Sequence, residues 1–214
     1  MDRSESLAED LRTPTSAAVA GIIFSGVLIA VLVLMHSSLP AGWGSAEWLL
    51  SPSRRSAVQT ALALIPFAGI SFLWFIGVVR TRLGAREDKL FATVFLGSGL
   101  LFVALLFSAS AVLASLLVLF ERGIPASADS IALLQVLTRE LMGSFGARMA
   151  AVFTLSVTSV GARTGILPRW LVLLGLVSAA VLLATPPLSP WAQLVFPVWV
   201  LVLSVQILVA WRRR

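Results

Sequence analysis

Residues 90–120 read LFATVFLGSGLLFVALLFSASAVLASLLVLF, thirty-one residues without one charged side chain. As a helix rising 1.5 Å per residue, about 20 such residues cross the roughly 30 Å of hydrocarbon in a bilayer. An apolar run of this length identifies lipid as the solvent. Five further apolar stretches lie around it, at about 16–35, 57–79, 131–160, 170–185 and 191–211. The expected fold is therefore all-α, an integral membrane bundle of six helices. Residues 1–14 form a polar cytoplasmic segment, unstructured or weakly helical, and residues 15–214 form one transmembrane domain.

Composition supports this reading. The chain is 58% hydrophobic, with mean hydropathy +0.98, against about 45–50% apolar for a soluble domain. Its 214 residues suffice for one bundle and leave no room for a separate soluble domain. With no cysteine, disulfides, thiolate metal sites and a cysteine nucleophile are excluded. With His36 as the sole histidine, bis-histidine haem and multi-histidine zinc are excluded too. No cofactor is expected. The net charge of +6 is spread over short loops beside apolar spans, so the membrane explains it better than nucleic acid does.

Those loops also set the orientation. With six spans, eleven Lys/Arg fall on the side of the two termini and three, Arg54, Arg55 and Arg122, on the other. The basic side stays inside, so both termini are expected in the cytoplasm. The acidic Asp2, Glu5, Glu9 and Asp10 make a poor signal-peptide leader, so the first stretch is expected to remain as a span. Thr15 or Ser16 would cap it, after Pro14. Trp170, Trp191 and Trp211 fall at span ends, Trp74 near one, and Trp43 and Trp48 in the first outer loop. These are headgroup levels, where amphipathic rings concentrate. The loop 36–56 reads either as an interfacial or re-entrant segment or as a lid over an outward-facing cavity. Glu87 and Asp88 precede the third span and complement the positive end of its helix.

Small residues recur at helical spacing: Ala104 with Ser108, Ala111 with Ser115, the series Gly143, Ala147, Ala151, and Ala17, Gly21, Ser25. Such stripes let backbones approach in lipid, and spans three and four are expected to meet along theirs. Pro66 and Pro197 fall inside spans two and six. They either kink them to open a cavity or mark plain packing bends.

The candidate ligand- or lipid-binding residues are Arg148, Glu140, Arg139, Ser144 and Ser108. Arg148 lies about a dozen residues from the cytoplasmic end of span four. A charge at such depth costs about 2.5–3.5 kcal/mol on insertion scales and calls for a partner or water. It either holds an anion or lipid headgroup, or snorkels with help from Ser144, Ser108 and nearby carbonyls. Arg139 and Glu140 are expected near the outer interface, pointing in different directions. Gln59, Gln193, Gln206 and the hydroxyls of Thr154, Ser156, Thr158 and Ser159 read as interhelical hydrogen bonders. No catalytic or metal-ligating constellation is legible.

The segment 163–171, RTGILPRWL, resembles a recurring signature of uncharacterised bacterial multi-pass membrane proteins. In these, a basic glycine turn and Pro-Arg-Trp-Leu open the next helix. Residues 80–99, with Arg86-Glu87-Asp88 leading into ATVFLGSG, are similar to actinobacterial members. The resemblance implies a helical membrane fold and no activity. Three function classes follow: a non-enzymatic accessory, assembly or lipid-interacting protein; a small carrier for a hydrophobic or anionic solute; and, with least support, an intramembrane enzyme. The expected partners are membrane lipids, anionic ones among them, and a protein partner or second copy. A dry core would favour the first class and a continuous polar cavity the second.

Overall fold

The computed structural model describes residues 3–39, 47–83, 89–184 and 190–212, and almost all of them are helical. The elements are α1 (Arg3–Ser38), α2 (Glu47–Leu50), α3 (Pro52–Leu83), α4 (Lys89–Glu121), α5 (Ala128–Arg139), a π-helical segment (Glu140–Gly146), α6 (Ala147–Arg163), α7 (Arg169–Ala184), a 3-10 segment (Pro190–Leu194) and α8 (Val195–Arg212). Five stretches are long and apolar enough to cross a membrane: Ser16–Ser38, Pro52–Arg80, Ala92–Glu121, Ala128–Arg163 and Trp191–Ala210. The sixth expected span, α7, has 16 residues, about 24 Å of helix. α1 starts at Arg3 rather than near Ser16 and runs through Pro14; a proline removes one bond of the ladder without having to end it. Trp43, Glu87, Asp88 and the Pro186-Pro187 end of the fifth stretch lie outside the described residues.

Consecutive long helices pack side by side. α1 packs on α3, α3 on α4, α4 on α6 and α6 on α7, and α8 closes the ring against both α7 and α1. The connections explain this order, because short loops join neighbours. α4 and α6 stop at Gly123 and Gly165, both with φ near +65° in the left-handed region that favours glycine. After Gly123, the Ile124 amide reaches back to the Leu119 carbonyl at 3.0 Å.

The middle of the ring is filled by phenylalanine. Phe24 of α1, Phe72 of α3, Phe102 of α4, Phe153 of α6 and Phe196 of α8 are all buried. Their ring centroids lie 4.4 Å (Phe24–Phe72), 4.9 Å (Phe102–Phe196) and 5.1 Å (Phe72–Phe153) apart. Most of the pairs are tilted or edge-to-face, as the ring quadrupole prefers. Five helices thus meet on one aromatic plug.

The stripe on α1 packs as expected. Ala17, Gly21 and Ser25 are buried, and a methyl on Gly21 would press on Ser204 of α8 and Phe75 of α3. Gly143, Ala147 and Ala151 are buried too. The stripe on α4 does not: Ala104, Ser108 and Ala111 are exposed. α4 turns Phe102, Val103, Leu106 and Leu113 inward instead, where large side chains gain more contact than small ones. Pro197 lies near the start of α8. It is the third residue of α8, in the first turn, where the missing N–H costs nothing. Trp48 also departs from its expected interfacial place. It is fully buried with Leu49 in a second small core against Val58, Leu113, Leu116 and Leu117. The two segments flanking it are tied down as well. Arg55 donates to the Leu49 carbonyl at 2.9 Å and stacks over Phe120. Gln59 of α3 donates to Glu121 of α4 at 2.8 Å.

Candidate functional site

One turn beyond the plug, at the end of the bundle away from the termini, lies a cavity of about 390 Å³. The spacing is read directly from the helices: Leu28 and Leu106 line the cavity, and Phe24 and Phe102, four residues earlier on each helix, belong to the plug. Below it a crevice of about 10 Å³ penetrates beside Phe102 and Phe196, at the lower limit for one water. The cavity's size falls in the range of small-molecule sites, and so does its mostly apolar wall with a few polar groups.

Four parts of the chain supply the polar groups. The last turns of α1 bring His36, α4 brings Ser110, the end of α5 brings Thr138 and Arg139, and the 3-10 segment brings Trp191 and Gln193. Leu28, Leu32, Met35, Ile65, Leu106 and Leu113 are among the apolar ones. Several hydroxyl protons are already committed. Ser110 donates to the Leu106 carbonyl at 2.6 Å, and Thr138 to the Leu134 carbonyl at 2.9 Å. His36 Nδ1 lies 2.7 Å from the Leu32 carbonyl. A carbonyl only accepts, so Nδ1 carries a proton and Nε2 is the ring's remaining polar atom. The imidazole also packs against Trp191, with centroids 5.1 Å apart.

The π-helical segment follows directly after Arg139. Its wider turn is visible in the Ala147 amide, which reaches the Met142 carbonyl five residues back. Gly143, Ser144 and Gly146 are buried there, so small residues let the widened backbone sit close against α4, on which it packs. Met142 and Gly143 form part of the cavity wall. Short π segments cost hydrogen-bond geometry and concentrate at functional sites.

The five sequence candidates separate. Arg139 lines the cavity. Glu140, the next residue, is half-buried and begins the π segment, and Ser144 is buried within it. Arg148 and Ser108 are exposed on the outer faces of α6 and α4 and do not line the cavity. Two hydroxyls of the α6 cluster bond within their own helix, Thr154 to the Ala150 carbonyl at 2.8 Å and Ser156 to the Val152 carbonyl at 2.9 Å, while Thr158 Oγ1 is buried without a partner. This back-bonding is what a hydroxyl does in lipid when no neighbour offers a better acceptor. His36, Thr138 and Trp191 were not singled out as ligand-site residues from sequence, because their meeting depends on how four separated segments converge. Among the described residues no group of three His, Asp or Glu is placed to hold a metal ion.

No protein-family model matches the chain, and neither a curated protein nor a solved structure matches it. The likeness noted for residues 163–171 stays a local one. Its physical logic is nevertheless visible: Gly165 makes the turn, and the Pro168 carbonyl accepts from the amides of Leu171 and Val172 to start α7.

Proposed function

We propose that the chain is a non-enzymatic lipid-interacting protein of the plasma membrane that takes a lipid-like amphiphile into the cavity. In this reading α7 is a sixth, short span, accommodated by local thinning of the bilayer. Both termini are cytoplasmic in this reading, which the eleven-to-three distribution of basic residues supports, and the cavity then opens at the outer leaflet. The observation that carries the reading is the chamber itself: a largely apolar wall, polar groups of four segments on it, and phenylalanines one turn below. Such a chamber suits the tail of an amphiphile with its head among the polar groups.

Native mass spectrometry of the protein purified in mild detergent tests this. An amphiphile adduct is expected on the wild-type protein and on Val33→Leu, a change on the exposed side of α1. It should be lost in Ala109→Leu, which fills the cavity from α4. Retention of the adduct by a folded Ala109→Leu protein would end the proposal. Orientation has its own test. A cysteine at Ser127 should react with an impermeant thiol reagent on intact cells and one at Thr164 should not; the reverse pattern would invert the topology.

A second reading, a carrier, is favoured by one feature. The cavity wall includes the π segment, an irregular turn of the kind that concentrates at functional sites.

A further inference from the structure

The polar groups on the cavity wall are a mixed set of donors and acceptors. His36 Nδ1 gives its proton to the Leu32 carbonyl, 2.7 Å away, so Nε2 of the neutral ring is an acceptor. The Ser110 and Thr138 hydroxyls have given their protons to backbone carbonyls, and each oxygen keeps lone pairs that can accept. The Gln193 amide offers a carbonyl oxygen and two N–H donors, and the Trp191 indole offers one N–H. Arg139, on the same wall, already has an interaction partner. Four acceptors thus stand beside two donor groups, and they come from α1, α4, α5 and the 3-10 segment. Neither Asp nor Glu is among the described residues that line the cavity.

A head that fits such a wall must both donate and accept. A carboxylate only accepts: the Gln193 and Trp191 donors would suit it, but His36, Ser110 and Thr138 would face it with no proton between. An ammonium only donates, and in a largely apolar chamber without a carboxylate its charge stays uncompensated. A hydroxyl does both and carries no charge. Resting on the amphiphile reading above, we infer that the ligand is an uncharged single-chain amphiphile with a polyhydroxylated head, of the monoacylglycerol class. One hydroxyl brings one proton, so a head with two matches these acceptors better than a simple alcohol does. The chain would run along Leu28, Leu32 and Leu106 toward the plug. The volume of about 390 Å³ lies at the small end of ligand sites, which suits one chain and not the two of a phospholipid.

The test compares four amphiphiles of one chain length: monododecanoylglycerol, dodecanol, dodecanoate and dodecylamine. Each is titrated into the full-length protein in nanodiscs of zwitterionic lipid, at mildly alkaline pH where an ordinary imidazole is neutral, and binding is read by calorimetry. Empty nanodiscs and the cavity-filled Ala109→Leu protein give the background. The glyceride is expected to bind roughly tenfold more tightly than dodecanol, the value of one or two net hydrogen bonds, and both charged amphiphiles more weakly than dodecanol. Combining Ser110→Ala with Thr138→Val removes two acceptors and should erase most of the glyceride's advantage. Equal binding of all four, or tightest binding of any but the glyceride, would overturn the hydroxyl assignment and leave the amphiphile cavity standing. Binding of none above background would overturn both. The series on the wild-type protein decides between these outcomes even if the double variant fails to fold.

Discussion

Gly175, in the middle of α7, sits where α6, α7 and α8 come together, and adding one methyl there should unseat the junction. A Cβ built on Gly175 would lie 3.0 Å from Trp199 Nε1 and 3.1 Å from Thr158 Cγ2, with Thr158 Oγ1 nearer still. Carbon contacts are comfortable at about 3.5–4.0 Å. Neither neighbour can withdraw. Trp199 and Thr158 are fully buried, and turning the threonine about χ1 merely exchanges one branch for another. Overpacking costs about 1–3 kcal/mol, and a clash with two helices at once belongs in the upper half of that range. The better helix propensity of alanine returns up to about 1 kcal/mol. Gly175→Ala should therefore destabilise by about 1–2 kcal/mol. Thr158→Ala removes both clashing threonine atoms. Its own cost should be small, because Thr158 Oγ1 is buried without a hydrogen-bond partner and losing an unsatisfied hydroxyl forfeits no bond. The double variant should then recover most of the loss, a coupling inside the usual 0.5–3 kcal/mol for residues in contact. Reversible unfolding in mixed micelles measures all four proteins. A neutral or stabilised Gly175→Ala, or strict additivity with Thr158→Ala, would show that the three helices do not meet this closely.

Three further outcomes are expected. Arg148→Leu should preserve or raise the melting temperature and leave the co-purified lipids unchanged, because its side chain is exposed outside the cavity; native mass spectrometry showing loss of one lipid would contradict this. Gly143→Leu should damage folding more than Leu141→Ala in a detergent-stability assay, since Gly143 is buried in the π segment while Leu141 is half-exposed. Phe72→Ala, which removes the ring that meets Phe24, Phe102, Phe153 and Phe196, should cost about 3–5 kcal/mol; a loss below about 1 kcal/mol would mean that the plug is loosely packed.

Hydropathy alone made the helices legible, because a span must satisfy its backbone internally wherever it meets lipid. The facing of those helices was less legible, for a reason seen on α4. Ala104, Ser108 and Ala111 form a small-residue stripe as regular as that of Ala17, Gly21 and Ser25 on α1, yet one is exposed and the other buried. In lipid both faces of a helix are apolar, so the amphipathic signal that orients a helix in water is weak. A stripe of alanine and serine then suits a helix contact and a lipid face about equally. Trp48 illustrates the same loss of contrast. A tryptophan in a loop next to a span reads as an interface anchor, and only tertiary packing against Val58 and Leu113 buries it.

The candidate site was half legible, and the residues that divide it show why. Arg148 and Arg139 are both arginines in one apolar stretch, and depth favoured Arg148 because charge costs most near the bilayer centre. What separates them is azimuth: nine residues at about 100° each leave them half a turn out of phase, on opposite faces of one helix. In an α-helix each residue turns 100°, since 3.6 residues make a turn. The π segment widens the turn over ELMGSFG, and the two arginines still face apart. Arg139 turns into the cavity while Arg148 remains outside. The heptapeptide carries no proline and no charged residue after Glu140, so no local rule forecasts the widening. The small residues buried there permit it, and packing against α4 selects it. A helical wheel therefore shows that the two arginines cannot share a face, but which of them faces the bundle is set by tertiary packing, and depth in the bilayer was the wrong guide to it.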